Sequence, residues 1–306
     1  MSDLNAQLDM SRAPWRGVYR RGEPLARHCS WRCGGPAEHY FEPADRADLL
    51  AFLAGNGIDP LFWLGLGSNL LIRDGGLRGT VISTANLAGN QWFDPEHLYV
   101  EAGVPCARIA RAAAAQDRGG LEFLAGIPGT LGGALRMNAG ALGGEIWQFV
   151  QWAELVDRRG QVTRIARDEF VASYRRVQQP QPGWFIAALL HVPSDAQGEG
   201  NERIREVLAK RSATQPTGKA SCGSVFKNPP GDYAGRLIEA CGLKGYRIGG
   251  CEVSTVHANF IVNDAGALSV EVEQLIRHVQ DTVRTRTGVE LETEVQIVGE
   301  TLEALS

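Results

Sequence analysis

The stretch SCGSVFKNPP (residues 221–230) sets two nucleophile-type side chains, Cys222 and Ser224, beside Lys227 and Asn228. A thiol or hydroxyl can attack a substrate or give it a proton when a neighbouring charge or a water-poor pocket tunes it. Lysine offers phosphate a point charge. Read by itself the stretch is also a glycine turn feeding a short strand that Pro229 and Pro230 end. Charged partners stand in two other segments. Arg175 and Arg176 lie in SYRR (173–176), and Glu292 and Glu294 lie in LETEVQIVG (291–299). Two adjacent arginines read equally as a solvated pair, and the two glutamates would share one face of a strand. His257, in STVHANFIVN, is assigned to the core and given no catalytic part.

Glycine supplies the second kind of chemistry. LGLGSNLL (64–71) follows a strand-like run, and G-x-G in that position can bring backbone N–H groups against a pyrophosphate. It is not a Rossmann fingerprint, because Leu70 occupies the third glycine position and no acidic residue follows at about twenty positions. Nor is TGKA (217–220) a Walker loop, with Ala213 and Ala220 in place of its first glycine and its hydroxyl. GIPGTLGGALRMNAGALGGE (126–145) packs seven glycines with Thr130 and Asn138 into twenty residues. Glycine costs conformational entropy on folding, so that density suggests backbone laid against something flat or anionic, a flavin ring or a pyrophosphate. The segment reads as a long functional loop.

Elements of both periods must hold these loops. RADLLAFLAGNG (46–57) reads as a helix leading to the strand LFWLGLG, with SNLLIRDGGLRGTVI returning to sheet. ARIARAAAAQDRGG (107–120) reads as a helix that glycine ends. Residues 146–198 read as strands and hairpins, turning at DRRG (157–160) and QPQPG (179–183), with WFIAALLHV (184–192) a buried strand. QGEGNERIREVLAKR (197–211) becomes helical after a polar start. DYAGRLIEACGLKG opens a further helix with Asp232 as its N-cap. A long helix and a last alternating strand close the chain.

Composition bounds the class. The 306 residues are 44% hydrophobic and 22% charged, a globular balance with room for two or three domains. Net charge is −4, so no global field recruits nucleic acid or anionic membrane. No apolar run approaches the ~20 residues of a membrane-spanning helix. The N-terminus lacks an apolar leader core, so a cytoplasmic location is expected. Cysteines at 29, 33, 106, 222, 241 and 251 form no C-x-x-C pair and read as reduced thiols. His28 with Cys29 and Cys33 lacks a fourth ligand, and no metal is expected.

Six blocks in order, LGLGSNLLIRDGGLRGTVI, GIPGTLGGALRMNAGALGGE, SYRR, SCGSVFKNP, GLKGYRIGGCEVSTVHANFIVN and LETEVQIVG, resemble the UDP-N-acetylenolpyruvoylglucosamine reductase family in its shorter class. The resemblance runs from about Arg32 to Gly299. It implies an α+β (mixed α/β) fold of the vanillyl-alcohol-oxidase type, a two-part FAD-binding module with a C-terminal α+β substrate domain. The boundaries expected are 1–82 for the first FAD subdomain, rejoined by a C-terminal strand within 291–306, 83–198 for the second, and 199–290 for substrate.

The family pattern implies non-covalent FAD, NADPH as co-substrate and UDP-N-acetylglucosamine enolpyruvate as substrate, with no obligate protein partner. Gly65, Gly67, Ser68 and Asn69 would hold the FAD pyrophosphate. Gly126, Ile127, Pro128, Gly129, Thr130, Gly132, Gly133, Asn138 and Gly140 would line the rest of the cofactor. Ser224 would protonate the substrate, Arg175 and Glu294 would stabilise its enol form, and Tyr174, Lys227 and Asn228 would hold substrate. The implied role is in cell-wall synthesis, and so in cell shape and division. Val177, Leu142 and Cys222 depart from the family pattern. The alternative from the same fold is an FAD-dependent sugar or alcohol oxidase.

Overall fold

The computed structural model describes residues 15–55 and 59–302. In chain order the elements are β1 (Val18–Pro24), β2 (Pro36–Glu42), α1 (Arg46–Ala54), β3 (Leu61–Leu64), β4 (Leu70–Ile72), β5 (Leu77–Ser83), β6 (Asn90–Asp94), β7 (His97–Glu101) and α2 (Cys106–Ala114). Then come α3 (Leu131–Met137), β8 (Gly140–Ala141), β9 (Gly144–Glu145), β10 (Val150–Val156), β11 (Val162–Ala166), β12 (Val171–Ser173), β13 (Arg176–Gln178), β14 (Trp184–His191) and α4 (Gly200–Thr214). The C-terminal third holds α5 (Ala234–Ala240), β15 (Arg247–Ile248), β16 (Cys251–Val253), β17 (Ile261–Asn263), α6 (Ser269–Thr287) and β18 (Gln296–Val298).

Two sheets carry the N-terminal two thirds. The first, ordered β1-β2-β5-β3, is antiparallel at its hairpin and parallel elsewhere, because α1 provides the crossover to β3. Asp45 caps α1, its side chain accepting from the Asp48 N–H, as expected of an aspartate ahead of a leucine-rich turn. The second sheet, β11-β10-β14-β7-β6, is wholly antiparallel. β14 sits at its centre, which explains the unbroken apolar run of WFIAALLH. α2 buries Cys106, Ile109, Ala110, Ala113 and Ala114, one stripe at helical spacing, into the core that this sheet shares with α3.

The C-terminal third forms a third core, in which α6 presents Val272, Leu275, Ile276, Val279 and Val283 to α5 and the small β15-β16-β17 sheet. Trp31, Cys33 and Leu71 from the first third belong to this same core. Trp31 is fully buried and its indole N–H donates to the Ile261 carbonyl at 2.8 Å. The Ser269 hydroxyl donates to Ile72 O at 2.6 Å, and Arg73 pairs with Glu273. At the chain's end β18 lies parallel to β4, Gln296 opposite Leu70. Residues far apart in sequence thus meet around the segment that follows β3.

Three local expectations are corrected. Residues 126–145 are not one irregular loop: they hold the helix α3 and the β8-β9 hairpin. SCGSVFKNPP contains no strand. Phe226 makes an isolated bridge to Thr293, and Pro229 and Pro230 therefore end nothing. α5 starts at Ala234 with Tyr233 as its N-cap, while Asn228 Oδ1 accepts from the Ala234 N–H at 3.1 Å. Asp232 spends its carboxylate on Arg236 and the Tyr233 N–H instead.

Candidate active site

The loop from Gly65 to Asn69 joins β3 to β4. None of its five backbone N–H groups donates to another described residue, so they form a run of unsatisfied donors of the sort that binds anions. Its shape depends on Gly67, held at φ +58 with the His28 carbonyl and Cys29 Cα where a Cβ would go. The Gly67 carbonyl accepts from Ser30 N–H at 3.1 Å, fixing the loop from behind. Asn69 turns its amide the other way and donates to the Glu294 carbonyl at 3.1 Å, so its side chain helps hold the C-terminal segment.

The second glycine segment abuts the first. A Cβ on Gly65 would stand 2.7 Å from Thr130 Oγ1, and one on Gly129 would stand 3.6 Å from Ser68 Oγ. Gly126, Ile127, Pro128, Gly129 and Thr130 therefore run alongside the β3-β4 loop. Within α3 the two adjacent glycines differ. Gly132 packs on Ala102, whereas a side chain on Gly133 would meet nothing within 4 Å. Asn138, in the left-handed region at φ +45, donates from Nδ2 to Glu145 and to the Ser173 carbonyl. Its Oδ1 is buried without a protein partner among the described residues. Bare backbone, five unpaired donors and an orphaned buried acceptor suit a pyrophosphate with a ring system that can hydrogen-bond, and FAD fits them.

Arg175 lies at the tip of the β12-β13 hairpin, where Ser173 pairs with Arg176 and only Tyr174 and Arg175 make the turn. It takes up φ +54, a left-handed conformation rare for a residue with a side chain. Its guanidinium is anchored on three sides. Nε donates to Glu294 Oε1 at 2.7 Å, and the terminal nitrogens donate to the Gly140 and Asn138 carbonyls at 3.1 and 3.5 Å. Gly140 and Asn138 thus hold the arginine by their main chains. Arg176, exposed on the next position, is the solvated member of the pair.

Glu294 is the hub. Its N–H donates to the Val225 carbonyl at 2.8 Å, its carbonyl accepts from Asn69, and its carboxylate meets Arg175. The Arg175 and Glu294 side chains are 18% and 16% exposed. Burial pushes the Glu294 carboxyl above the ordinary glutamate range, opposed by Arg175 and more weakly by Lys227. Glu292 does not share its face, because residues 291–295 are not in a strand. Its side chain is 74% exposed and pairs with Lys227.

Ser224 immediately precedes Val225, which Glu294 grips, so the two side chains are carried by one interlocked piece of backbone. The hydroxyl is half-buried and makes no hydrogen bond to the described residues. Cys222 is 2% exposed, burial raises its thiol far above the usual range, and Sγ–H donates to Leu70 O at 3.3 Å. It is a packing contact behind the glycine loop. Tyr174 joins the cluster, its hydroxyl accepting from the Asn228 N–H at 3.5 Å and its ring lying 5.0 Å from the Arg175 guanidinium. Leu142, at φ +54 and 57% exposed, forms the tip of the β8-β9 turn. His28 is engaged by Glu23, and among the described residues no three His, Cys, Asp or Glu side chains gather as a metal site.

Residue-type reasoning missed Asn259, which fastens the Ser224 segment. A buried amide in an apolar run, HANFIV, is the signal, since such a group needs partners.

A glycine bed for a flavin nucleotide beside a half-buried Arg–Glu pair and an uncommitted serine, on a mixed helix and strand fold, defines an FAD-dependent oxidoreductase. A family profile described as "FAD binding domain" matches residues 37–166. A second, "UDP-N-acetylenolpyruvoylglucosamine reductase, C-terminal domain", matches residues 215–298. The chain is 56% identical over 291 residues to the UDP-N-acetylenolpyruvoylglucosamine reductase of Methylococcus capsulatus, covering 94% of this chain and 95% of that protein. It is 54% identical over 286 residues to the reductase of the same name from Alkalilimnicola ehrlichii, covering 93% and 96%. The crystal structure of UDP-N-acetylenolpyruvylglucosamine reductase from Thermus caldophilus superposes with a TM-score of 0.78 at 33% identity, covering 92% of this chain and 99% of that one. The chain belongs to the UDP-N-acetylenolpyruvoylglucosamine reductase family.

Proposed function

We propose that this chain reduces UDP-N-acetylglucosamine enolpyruvate to UDP-N-acetylmuramate at the expense of NADPH. Residues 1–198, with the C-terminal strand, carry FAD, and 199–290 carry the substrate. The observation that supports the reading most is the meeting of Arg175, Glu294 and the Ser224 segment next to the glycine bed.

When bound, FAD supplies the redox step, taking hydride from NADPH and delivering it to C3 of the enolpyruvyl group. Gly65, Gly67, Ser68 and Asn69 would hold its pyrophosphate with backbone N–H groups, and the 126–130 segment with Gly132, Gly133, Asn138 and Gly140 would line the rest of the cofactor. The protein's own task in the second half is the proton. Adding hydride at C3 leaves an electron pair at C2, conjugated with the substrate carboxylate. Arg175, pre-anchored by two carbonyls, offers cationic charge where negative charge grows, so little reorganisation is needed in the transition state. Glu294 aligns Arg175, and its raised pKa lets it share a proton with the enol oxygen. The Ser224 hydroxyl protonates C2. A serine is a poor acid in water, but against a strongly basic carbon in a water-poor site the transfer is downhill.

Tyr174, Lys227 and Asn228 hold the nucleotide portion, with Lys227 leaving the exposed Glu292 carboxylate for a phosphate. The setting is the cytoplasm, and the product feeds cell-wall synthesis and through it cell shape and division. No described helix is long and apolar enough to cross a membrane.

The test is anaerobic. The purified protein is yellow, stoichiometric NADPH bleaches it, and UDP-N-acetylglucosamine enolpyruvate restores the oxidised spectrum. Reduced protein that stays bleached with this substrate, and recolours with oxygen while making steady peroxide from a plain sugar, would instead be the oxidase.

A further inference from the structure

Asn259 lies between β16 and β17 and is 4% exposed. Both ends of its amide are committed to one residue: Oδ1 accepts from Phe226 N–H at 3.0 Å, and Nδ2 donates to Phe226 O at 2.8 Å. Its own carbonyl accepts from Val225 N–H at 2.9 Å. The side chain imitates a peptide unit and, with its backbone, supplies the partner that a neighbouring strand would give Val225 and Phe226. On the other side of the same two residues stands the Glu294 segment. Val225 O accepts from Glu294 N–H at 2.8 Å, Phe226 bridges Thr293, and Lys227 N–H donates to Glu292 O at 2.9 Å.

Val225 and Phe226 are therefore clasped between Asn259 and Glu294, and Ser224 is the next residue along. No hydrogen bond to a described residue holds the Ser224 side chain itself. We infer that Asn259 is a positioning residue for the proton transfer, setting where the Ser224 hydroxyl stands relative to Glu294 and Arg175 by gripping Val225 and Phe226. The inference rests on the proposed function, and deepens it by assigning the register of the donor to a residue that need not touch substrate. Loosening the clasp leaves two buried Phe226 groups unsatisfied and lets the serine drift, and a displacement of about 1 Å from productive geometry can cost ~10²-fold in rate.

Asn259→Asp provides the sharpest test. A neutral carboxyl has the shape of the amide, with one O–H donor for Phe226 O and one acceptor for Phe226 N–H. The ionised form keeps the acceptor and loses the donor. Anaerobic stopped-flow on the flavin-loaded protein measures reduction by NADPH and reoxidation by the enolpyruvyl substrate, as the ratio of variant to parent at each pH. His257, whose Nδ1 accepts from Asn259 N–H, faces this site, with Lys244 and Glu239 acting on it from beyond. All three are present in the parent and in Asn259→Gln, so a pH trend confined to Asn259→Asp belongs to the carboxyl introduced at 259.

Reoxidation by Asn259→Asp is expected to be roughly 10–100-fold slow at pH 8 and to recover toward the parent as pH falls. Reduction should stay within about twofold throughout. Asn259→Gln, which keeps both functions on a longer arm, should show the same split with no recovery. Equal slowing of both halves, no slowing, or an Asp variant without pH recovery would overturn the proposal. Failure of both variants to yield flavin-loaded protein would make Asn259 a folding residue and overturn it too. If the parent itself is not reoxidised by the enolpyruvyl substrate, it is the functional reading that fails. If the parent is reoxidised and the variants match it, only this inference does.

Discussion

The proposed cofactor bed and the proposed proton-transfer cluster lie side by side but are built on opposite principles. The bed, Gly65 to Asn69 with Gly126 to Thr130, presents backbone: its glycines remove side chains, and the N–H groups of Gly65 to Asn69 have no partner among the described residues. The cluster presents side chains from three remote segments: Arg175 is held by the Gly140 and Asn138 carbonyls, Glu294 by Val225 O and the Arg175 guanidinium, and Ser224 only through its neighbour Val225. On the proposed reading the bed depends on what is missing, and the cluster on what holds each group still. Asn69 and Asn138 connect the two, for each presents part of its amide or backbone to one region and grips the other.

The comparison predicts that damage to one region should spare the other. The largest effect is expected for Ser224→Ala. It removes the donor and nothing that the bed uses, so flavin content and reduction by NADPH should match the parent. Reoxidation by substrate should slow by about 10²–10⁴, the usual weight of a positioned general acid. Stopped-flow absorbance of the two half-reactions measures both at once. Equal slowing of both would mean that bed and cluster are not separable.

Gly133→Ala breaks the comparison from the other side. The position is helical, and alanine there favours the apoprotein by roughly 0.5–1 kcal/mol. The space beyond it is open. If the flavin occupies that space, the variant should melt higher without FAD and bind FAD about tenfold more weakly, the loss of about 1.4 kcal/mol. Thermal melts of apoprotein and a fluorescence titration with FAD measure the two effects. Tighter stability with unchanged FAD affinity would remove Gly133 from the bed.

These opposite principles also decide what was legible in the sequence. Glycine clustering is a local signal, so LGLGSNLL and GIPGTLGGAL announce a bed by composition. The helix inside the second was hidden because glycine lowers helix propensity, and packing of Leu131, Ala134 and Leu135 overrides it. The amphipathic helices and the buried β14 followed from period and hydrophobic run. The side-chain cluster was legible only as a set of candidates, because nothing local shows that a hairpin-tip arginine meets a carboxylate 119 positions away. The preference for Glu294 over Glu292 rests on the family pattern, in which the glutamate precedes V-x-I-V-G, because residue types and an expected strand alternation left both open; residues 291–295 are not a strand, so that alternation does not apply. Asn259 stayed hidden behind His257, since the eye goes to a titratable group before an amide.

The smallest expected effect concerns the charge at the hub. Burial raises the pKa of Glu294 in the folded protein, more than Arg175 lowers it. The folded state therefore holds this proton more tightly than the unfolded chain does. The resulting contribution to stability is fully present below the ordinary glutamate value of 4.5 and is lost as pH rises through the folded value. Glu294→Gln keeps the shape and an acceptor for Arg175 but cannot titrate. Parent and variant should differ by no more than about 1 kcal/mol at neutral pH, where the partly buried pair and the burial penalty offset one another. The parent's relative advantage should grow as pH falls toward 4.5, read as the difference between their melting temperatures across that range. Parallel melting curves would mean that Arg175 cancels the burial penalty completely. Glu294 would then rest as a permanent carboxylate, and enol stabilisation in the cluster would fall to Arg175 alone.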